Sequence, residues 1–515
     1  MSFGEYLRCF AVPLVLVAIG MAVAVAPLPA PPERIAAAQC AALSSTDRAG
    51  SILAEAMPGG ASLAAYCRVT GLLRPVAGSS IGFQLWLPVP ERWSGRLQML
   101  GNGGYSSALP LSAMAEALQR GSAVIATDTG HQGDDPDFAA GRPESIVDWG
   151  SRAVHLSLAR GENLVARFYG RPAAHRYFNG CSTGGHQALM EAQRFPADFD
   201  GIVAGAPGSD RVRLNAAFLW QYLANHRPGD NASPILSKPD LDLLARASFA
   251  ACHGANGGSA GGLASDPWLN DPTQCRFDPG VLACKAGQSA QCLSTEKVEA
   301  ARKMYRGAPD PRTGEPVTTP WLPGSETGWG AYWADPRHPG QPARLNFWRI
   351  WAFGDPGWDW WRFDYGRQFS GVQARLSPVI DATDPDLRTF RARGGKLLQY
   401  HGLSDPVVSP LDSIRYFERT TRVSGRAGSW YRLFLVPGMG HCGGGPGFWR
   451  FDAQAAIERW VERGAAPDQI IAEQPSAPMP KRETAATRPL CPFPQKAVFA
   501  PGSREAASGF VCARR

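Results

Sequence analysis

Short apolar runs ending in glycine, proline or aspartate alternate along this chain with longer stretches of helical spacing. "IGFQLWLPVP" (81–90), "RLQMLGNGG" (96–104) and "SAVIATDTGH" (122–131) are such runs and predict strands. "LSAMAEALQR" (111–120) and "SRAVHLSLARGENLVARFYG" (151–170) repeat apolar residues three and four apart and predict helices. The rhythm continues with a strand in "RYFNG" (176–180), a helix in "GHQALMEAQRF" (185–195) and a strand in "FDGIVAGAP" (199–207). Such alternation with short connections predicts an α/β fold on a parallel sheet covered on both faces.

From residue 209 to 381 the rhythm breaks. This stretch holds clustered cysteines, the loop "GANGGSAGGLASD" and the aromatic run "FWRIWAFGDPGWDWWRFDY" (347–365). It resumes with strands in "GGKLLQYHGLSD" and "WYRLFLVPG" and helices in "SPLDSIRYFERTTR" and "FDAQAAIERWVERG". The simplest organisation is one α/β domain, 27–208 and 382–515, interrupted by a lid-like insert at 209–381. No internal repeat is present. Ahead of the domain, the uncharged apolar run "CFAVPLVLVAIGMAVAVA" follows Arg8 and precedes "PLPAPPE". Residues 1–26 are read as a secretory signal cleaved between about Ala24 and Ala30, with an uncleaved anchor as the alternative. No later segment is long and apolar enough to span a bilayer.

With 44% hydrophobic and 19% charged residues, the chain has ample material for a core. The net charge of +7 is spread without a Lys/Arg stripe, which argues against nucleic acid as a partner. One of the eleven cysteines, Cys9, lies in the signal, leaving an even number, as disulfides in an exported protein require. Spacing invites the local pairs Cys40–Cys67, Cys252–Cys275, Cys284–Cys292 and Cys491–Cys512, although sequence alone does not fix connectivity. A zinc site in the 252–292 group is the competing reading, weakened by the lack of a C-x-x-C knuckle. Cys181 and Cys442 are left over.

Those two flank the residues with the most evident chemistry. Gly180-Cys181-Ser182-Thr183-Gly184 is a G-x-S-x-G pentapeptide between a predicted strand and a predicted helix. In that context the motif is a nucleophile elbow. A serine hydroxyl needs a base, and the base needs a group to hold its tautomer. Asp405 and His441 each follow a predicted strand, in the chain order Ser, acid, His of α/β-hydrolases. Taken singly, Asp405 also suits a turn before Pro406, and His441 a packing role in its glycine loop. If Ser182 and His441 meet, Cys181 and Cys442 come within reach of a disulfide. The backbone N–H of Thr183 and that of Gly103 or Gly104, in "MLGNGGYSS", are the candidate oxyanion donors; a plain glycine turn is the alternative for the latter.

The motifs "CSTGGHQ", "YHGLSDPVVSP" and "PGMGHCGGG", with the early "ATDTGHQG" and late "RPLCPFPQ", make the chain resemble the tannase and feruloyl esterase family. His186 stands where the family usually has arginine, and Leu403-Ser404 where it has Trp-Ala. The resemblance implies an α/β-hydrolase core and a lid carrying substrate contacts; the aromatic run can sandwich an aromatic ring or, at least as readily for any single tryptophan, form the lid's own core. It also implies a secreted serine esterase acting on esters of hydroxycinnamic, gallic or terephthalic type acids. Its partner is then a small aromatic ester, with no membrane association after signal cleavage; the sequence sets no oligomeric state. An acyltransferase on the same triad and a binding protein on a hydrolase scaffold are the alternatives. His131 and His401 are read as structural.

Family members commonly hold a lid calcium in a loop of the form "CDxxDGxxDG". The aligned segment from Cys252 reads "CHGANGGSAGG", placing His253, Asn256 and Ala260 at the side-chain ligand positions and Gly258 and Gly262 at the carbonyl positions. Calcium needs oxygen ligands with carboxylate charge, and here all three carboxylates are gone. Asp266, Asp271 and Asp278 lie further along and could rebuild a site by a different route. The expectation is that the calcium site is lost and that no metal or cofactor is required.

Overall fold

The structure, a computed structural model, describes residues 37–48, 50–60, 63–256, 263, 265–474 and 486–514. The signal read at 1–26 and its cleavage point lie outside them. Among the described residues one sheet holds ten strands: β1 (Ser45–Asp47), β2 (Gly50–Met57), β3 (Tyr66–Leu73), β4 (Ile81–Pro88), β5 (Arg96–Leu100), β6 (Ala123–Thr127), β7 (His175–Cys181), β8 (Gly201–Gly205), β9 (Lys396–Gly402) and β10 (Tyr431–Val436). Their order is β1-β2-β3-β4-β6-β5-β7-β8-β9-β10.

Only the run from β6 to β10 is parallel. β1 to β4 pair antiparallel, and β4 meets β6 antiparallel, with Leu85 opposite Ile125. This corrects the expectation of a wholly parallel sheet. For β2, β3 and β4 the cause is connection length: a parallel return needs a crossover of a dozen or more residues, usually a helix, whereas residues 58–65 and 74–80 suffice only for hairpin-like turns. The two-sided cover is evident at β6 and β8, where every residue is buried.

Helix Ala153–Tyr169 lays Val154, Leu158, Leu164, Val165 and Phe168 against the sheet and ends at Gly170, whose φ of 71° is the left-handed cap that glycine favours. Helix Thr183–Arg194 is buried on all sides from Thr183 to Ala192, because other elements cover the face turned away from the sheet.

Between β8 and β9 no strand of the sheet occurs among the described residues. Helices Arg211–Asn225, Lys238–Asn256, Thr295–Arg306 and Arg367–Ile380 lie here. One apolar cluster, around Leu244, Met304 and Trp329, belongs to this insert alone. A second joins its Phe347, Trp348 and Trp351 to Tyr105 and Trp149 of the sheet-bearing part. The four cysteines of the 252–292 group form the bridges Cys252–Cys275 and Cys284–Cys292, which leaves no thiolate for zinc. After β10, strand pairs 470–473 with 487–490 and 496–499 with 510–513 form the tail, and Cys491–Cys512 closes it. Cys40–Cys67 ties the first described helix to β3. Among the described residues no helix is long and apolar enough to cross a membrane.

Candidate active site

β7 ends at Cys181 and the next helix begins at Thr183, so Ser182 alone makes the turn. It does so at φ 62° and ψ −116°, a left-handed conformation that costs a non-glycine residue about 1–3 kcal/mol. A side chain at Gly180 would place its Cβ 2.6 Å from the Gly184 backbone, so the turn closes only with glycine there. The Ser182 N–H donates to the carbonyl of Gly205 on β8 at 2.9 Å, which fixes the elbow to the neighbouring strand.

Asp405 lies in the loop after β9 and is buried. Its Oδ2 is 2.7 Å from His441 Nδ1, and its Oδ1 accepts from the N–H groups of Val407 (2.8 Å) and Val408 (3.0 Å). Burial pushes the carboxyl up. The facing His441 charge and the hydrogen bonds from the His401 and His441 rings outweigh that and hold it well below the usual carboxylate range. Asp405 is therefore ionised wherever the protein is folded near neutral pH. An ionised Asp405 favours the tautomer with the proton on His441 Nδ1.

The staple between the loops is a disulfide. Cys181 and Cys442 are joined at 2.03 Å with their Cα atoms 5.9 Å apart. Among the described residues the Ser182 hydroxyl and the His441 ring share no hydrogen bond; the disulfide is what links their loops directly.

Thr183 opens its helix, so its N–H has no partner within the helix. Its hydroxyl donates to the Gly104 carbonyl at 2.7 Å and accepts from Arg211 Nη2 at 2.6 Å. Gly104 adopts φ 56°, and among the described residues neither its N–H nor that of Gly103 donates a hydrogen bond. Tyr105 continues the loop and stacks on Trp149 at 5.0 Å. Arg211 lies over the same Trp149 ring at 5.1 Å, and burial draws its guanidinium down to about 10. The Thr183 hydroxyl thus ties the 103–104 loop to the residue next to Ser182, and Tyr105 and Arg211 brace it against Trp149.

The sequence model for "Tannase and feruloyl esterase" matches residues 67–341 and 358–513. The chain belongs to the tannase and feruloyl esterase family. It is 34% identical to mono(2-hydroxyethyl) terephthalate hydrolase of Piscinibacter sakaiensis over 533 residues, covering 89% of this chain and 87% of that protein. It is 30% identical to probable feruloyl esterase B-2 of Aspergillus flavus over 432 residues, 78% of this chain and 79% of that one. The crystal structure of feruloyl esterase B from Aspergillus oryzae superposes with a TM-score of 0.82 at 24% identity, covering 93% of this chain and all (100%) of that one, and shares its fold. This member of the tannase and feruloyl esterase family is a carboxylic ester hydrolase with an α/β-hydrolase core.

The histidines of this esterase's motifs have definite partners. His401 holds the acid in place: its Nε2 is 3.1 Å from Asp405 Oδ2, and its Nδ1 2.7 Å from Ser413 Oγ. His131 does hold structure, with Nε2 2.7 Å from the Tyr105 carbonyl and its ring stacked on Phe138. His186 is buried, its Nε2 2.6 Å from the Ile380 carbonyl, and it ties helix Thr183–Arg194 to the insert. In the aromatic run, Phe347, Trp348, Trp351, Trp358, Phe363 and Tyr365 are all buried in the shared cluster, so most of it is core rather than substrate surface. Arg211 and Arg344 were not singled out at all. Arg344 holds φ 60°, and its Nη2 lies 3.1 Å from where a Gly104 Cβ would be. No motif announces either arginine.

In the segment aligned with the family's calcium loop, His253 is in helix Lys238–Asn256; the Asn256 side chain, Gly258, Ala260 and Gly262 lie outside the described residues. Each acid beyond the loop faces a cation: Asp266 with Arg488 at 3.0 Å, Asp271 with Lys496 at 2.5 Å and Asp278 with Arg302 at 2.8 Å.

Proposed function

We propose that this esterase hydrolyses esters of aromatic acids through an acyl-enzyme on Ser182, His441 and Asp405, outside the cytoplasm. The observation that carries the reading is the Asp405–His441 hydrogen bond on a loop bonded covalently to the elbow of Ser182. Ser182 Oγ attacks the ester carbonyl while His441 Nε2 takes its proton. The tetrahedral oxyanion is held by the N–H of Thr183 and of Gly103 or Gly104. Collapse expels the alcohol, protonated by His441, and leaves an acyl-serine. Water, deprotonated by His441, then releases the acid and restores the serine.

The aromatic acyl class is supported by what the two relatives are named for and by rings beside the acid loop. Phe218 and Tyr332 of the insert, 5.0 Å apart, pack with Val407 and Val408, two and three residues after Asp405. The insert is thereby read as the lid that shapes the acyl site. Five disulfides in one chain support export to an oxidising compartment.

The test is a pre-steady-state burst of p-nitrophenol from p-nitrophenyl acetate, stoichiometric with enzyme and abolished by a serine-directed phosphonate. A panel of methyl ferulate, methyl gallate, a terephthalate monoester and ethyl butyrate then reads the acyl class. No burst, or a kcat/KM for ethyl butyrate above every aromatic ester, overturns the reading.

Calcium is not part of this mechanism. The aligned loop lacks its three carboxylates, and the three nearby aspartates are already neutralised by Arg488, Lys496 and Arg302, so the residues present do not fit the ion. After dialysis against EDTA, adding millimolar calcium leaves the melting temperature unchanged. A calcium-dependent rise of several degrees would show that other ligands have rebuilt the site.

A further inference from the structure

At the far end of the helix that follows Ser182, two carboxylates and an imidazole converge. His155 comes from helix Ala153–Tyr169, Glu191 from the last turn of helix Thr183–Arg194, and Asp198 from the loop before β8. One ligand atom from each lies within 4.8 Å of the other two. Glu191 is 1% exposed, and neither carboxylate oxygen has a hydrogen-bond partner. Leaving such a group unpaired is costly, and a second acceptor-only carboxylate alongside makes it worse. Either a proton or a cation must lie between them.

We propose that His155, Glu191 and Asp198 bind a divalent first-row transition-metal ion, with zinc the best match, as a structural clamp. The donor set of one imidazole nitrogen and two carboxylate oxygens suits zinc, and the two negative charges balance its charge. Calcium is a poor match, because it needs six to eight oxygen ligands. Zinc at about 2.0–2.2 Å from each donor sets them about 3.4 Å apart in a tetrahedron. That separation lies between the 2.6 Å of the present His155 Nδ1–Asp198 Oδ2 contact and the 4.8 Å limit, so small side-chain rotations complete the site. The His155 ring is already stacked on Phe195 at 4.0 Å, which limits its freedom. Its side chain is 34% exposed and that of Asp198 14%, which opens a path for the ion and for a water as fourth ligand. The clamp would join the nucleophile helix to its neighbour at the end opposite Ser182. It acts on stability and takes no part in ester chemistry.

The experiment loads the full-length protein, stripped with EDTA, with zinc sulfate and desalts it. Elemental analysis is expected to find about one zinc per chain, with a melting temperature raised by a few degrees as for any ligand that binds only the folded state. Glu191→Gln keeps the shape and loses a ligand; it is expected to retain no zinc and to show no zinc-dependent rise. Should that variant not fold, His155→Ala on the half-exposed side supplies the same comparison. Wild-type protein that retains no zinc and does not shift would mean that Glu191 and Asp198 share a proton instead, which overturns the proposal. Equal zinc retention by the variant would place the ion elsewhere and overturn it too.

Discussion

Ser182→Ala is expected to leave the fold intact while lowering kcat/KM for an aromatic ester by roughly 10⁴–10⁶, the range seen when a triad nucleophile is removed. The helix that follows does not depend on the hydroxyl: the Ser182 side chain makes no capping hydrogen bond, and the contacts fixing the elbow are backbone ones. Asp405→Asn should cost about 10⁴ through the wrong His441 tautomer. It should destabilise as well, since it disturbs bonds to His441, His401, Val407 and Val408. The two losses should not add, because the residues act as a unit. Steady-state kinetics beside circular dichroism and melting curves separate the two effects. Folded Ser182→Ala with more than a tenth of wild-type activity would remove the serine from its role.

Replacing Cys181 and Cys442 together by alanine is the second change with a large expected effect. The bridge closes a sequence separation of 261 residues, for which the chain-entropy model gives about 5 kcal/mol, an upper limit in practice. The activity loss should exceed what unfolding explains, since displacement of about 1 Å between nucleophile and base can cost on the order of 10²-fold in rate. Assayed well below its melting temperature, the double variant should therefore show reduced kcat with the far-ultraviolet spectrum unchanged. Full turnover in that variant, or a free thiol at either position in active wild-type enzyme, would count against the staple.

The part of the fold visible in the sequence is the part where period and punctuation agree. β4 to β10 are apolar runs stopped by glycine, proline or aspartate, with amphipathic helices between most of them, and they form where the pattern places them. β2 and β3 escaped notice because they lie near a sheet edge and are only half buried. In β2, Leu53 is 56% exposed, and alanine and glutamate break the apolar run. Without them the antiparallel half of the sheet was invisible. The Asp405–His441 pair was legible because its members follow strands whose order fixes where they meet. The grip of His401 was not, because a histidine four residues before an aspartate has no signature until a turn brings them together. Arg211 was hidden for a related reason: its target is a hydroxyl distant in sequence, and a helix-start arginine usually points to water. The aromatic run left two readings open, ring contact and lid core, because dense tryptophan suits both; burial against the Tyr105–Trp149 layer favours core.

The Cys181–Cys442 bond also changes what a broken backbone means for this molecule. It makes residues 181–442 a covalent ring, with two smaller rings, Cys252–Cys275 and Cys284–Cys292, inside it. A protease that cuts once anywhere in the insert opens the ring without dividing the molecule. Both fragments stay tethered within a residue of the serine and of the histidine, where reassembly needs no encounter in solution. The insert can thus be nicked, or drift in length and sequence over evolution, without releasing the two ends that must stay together.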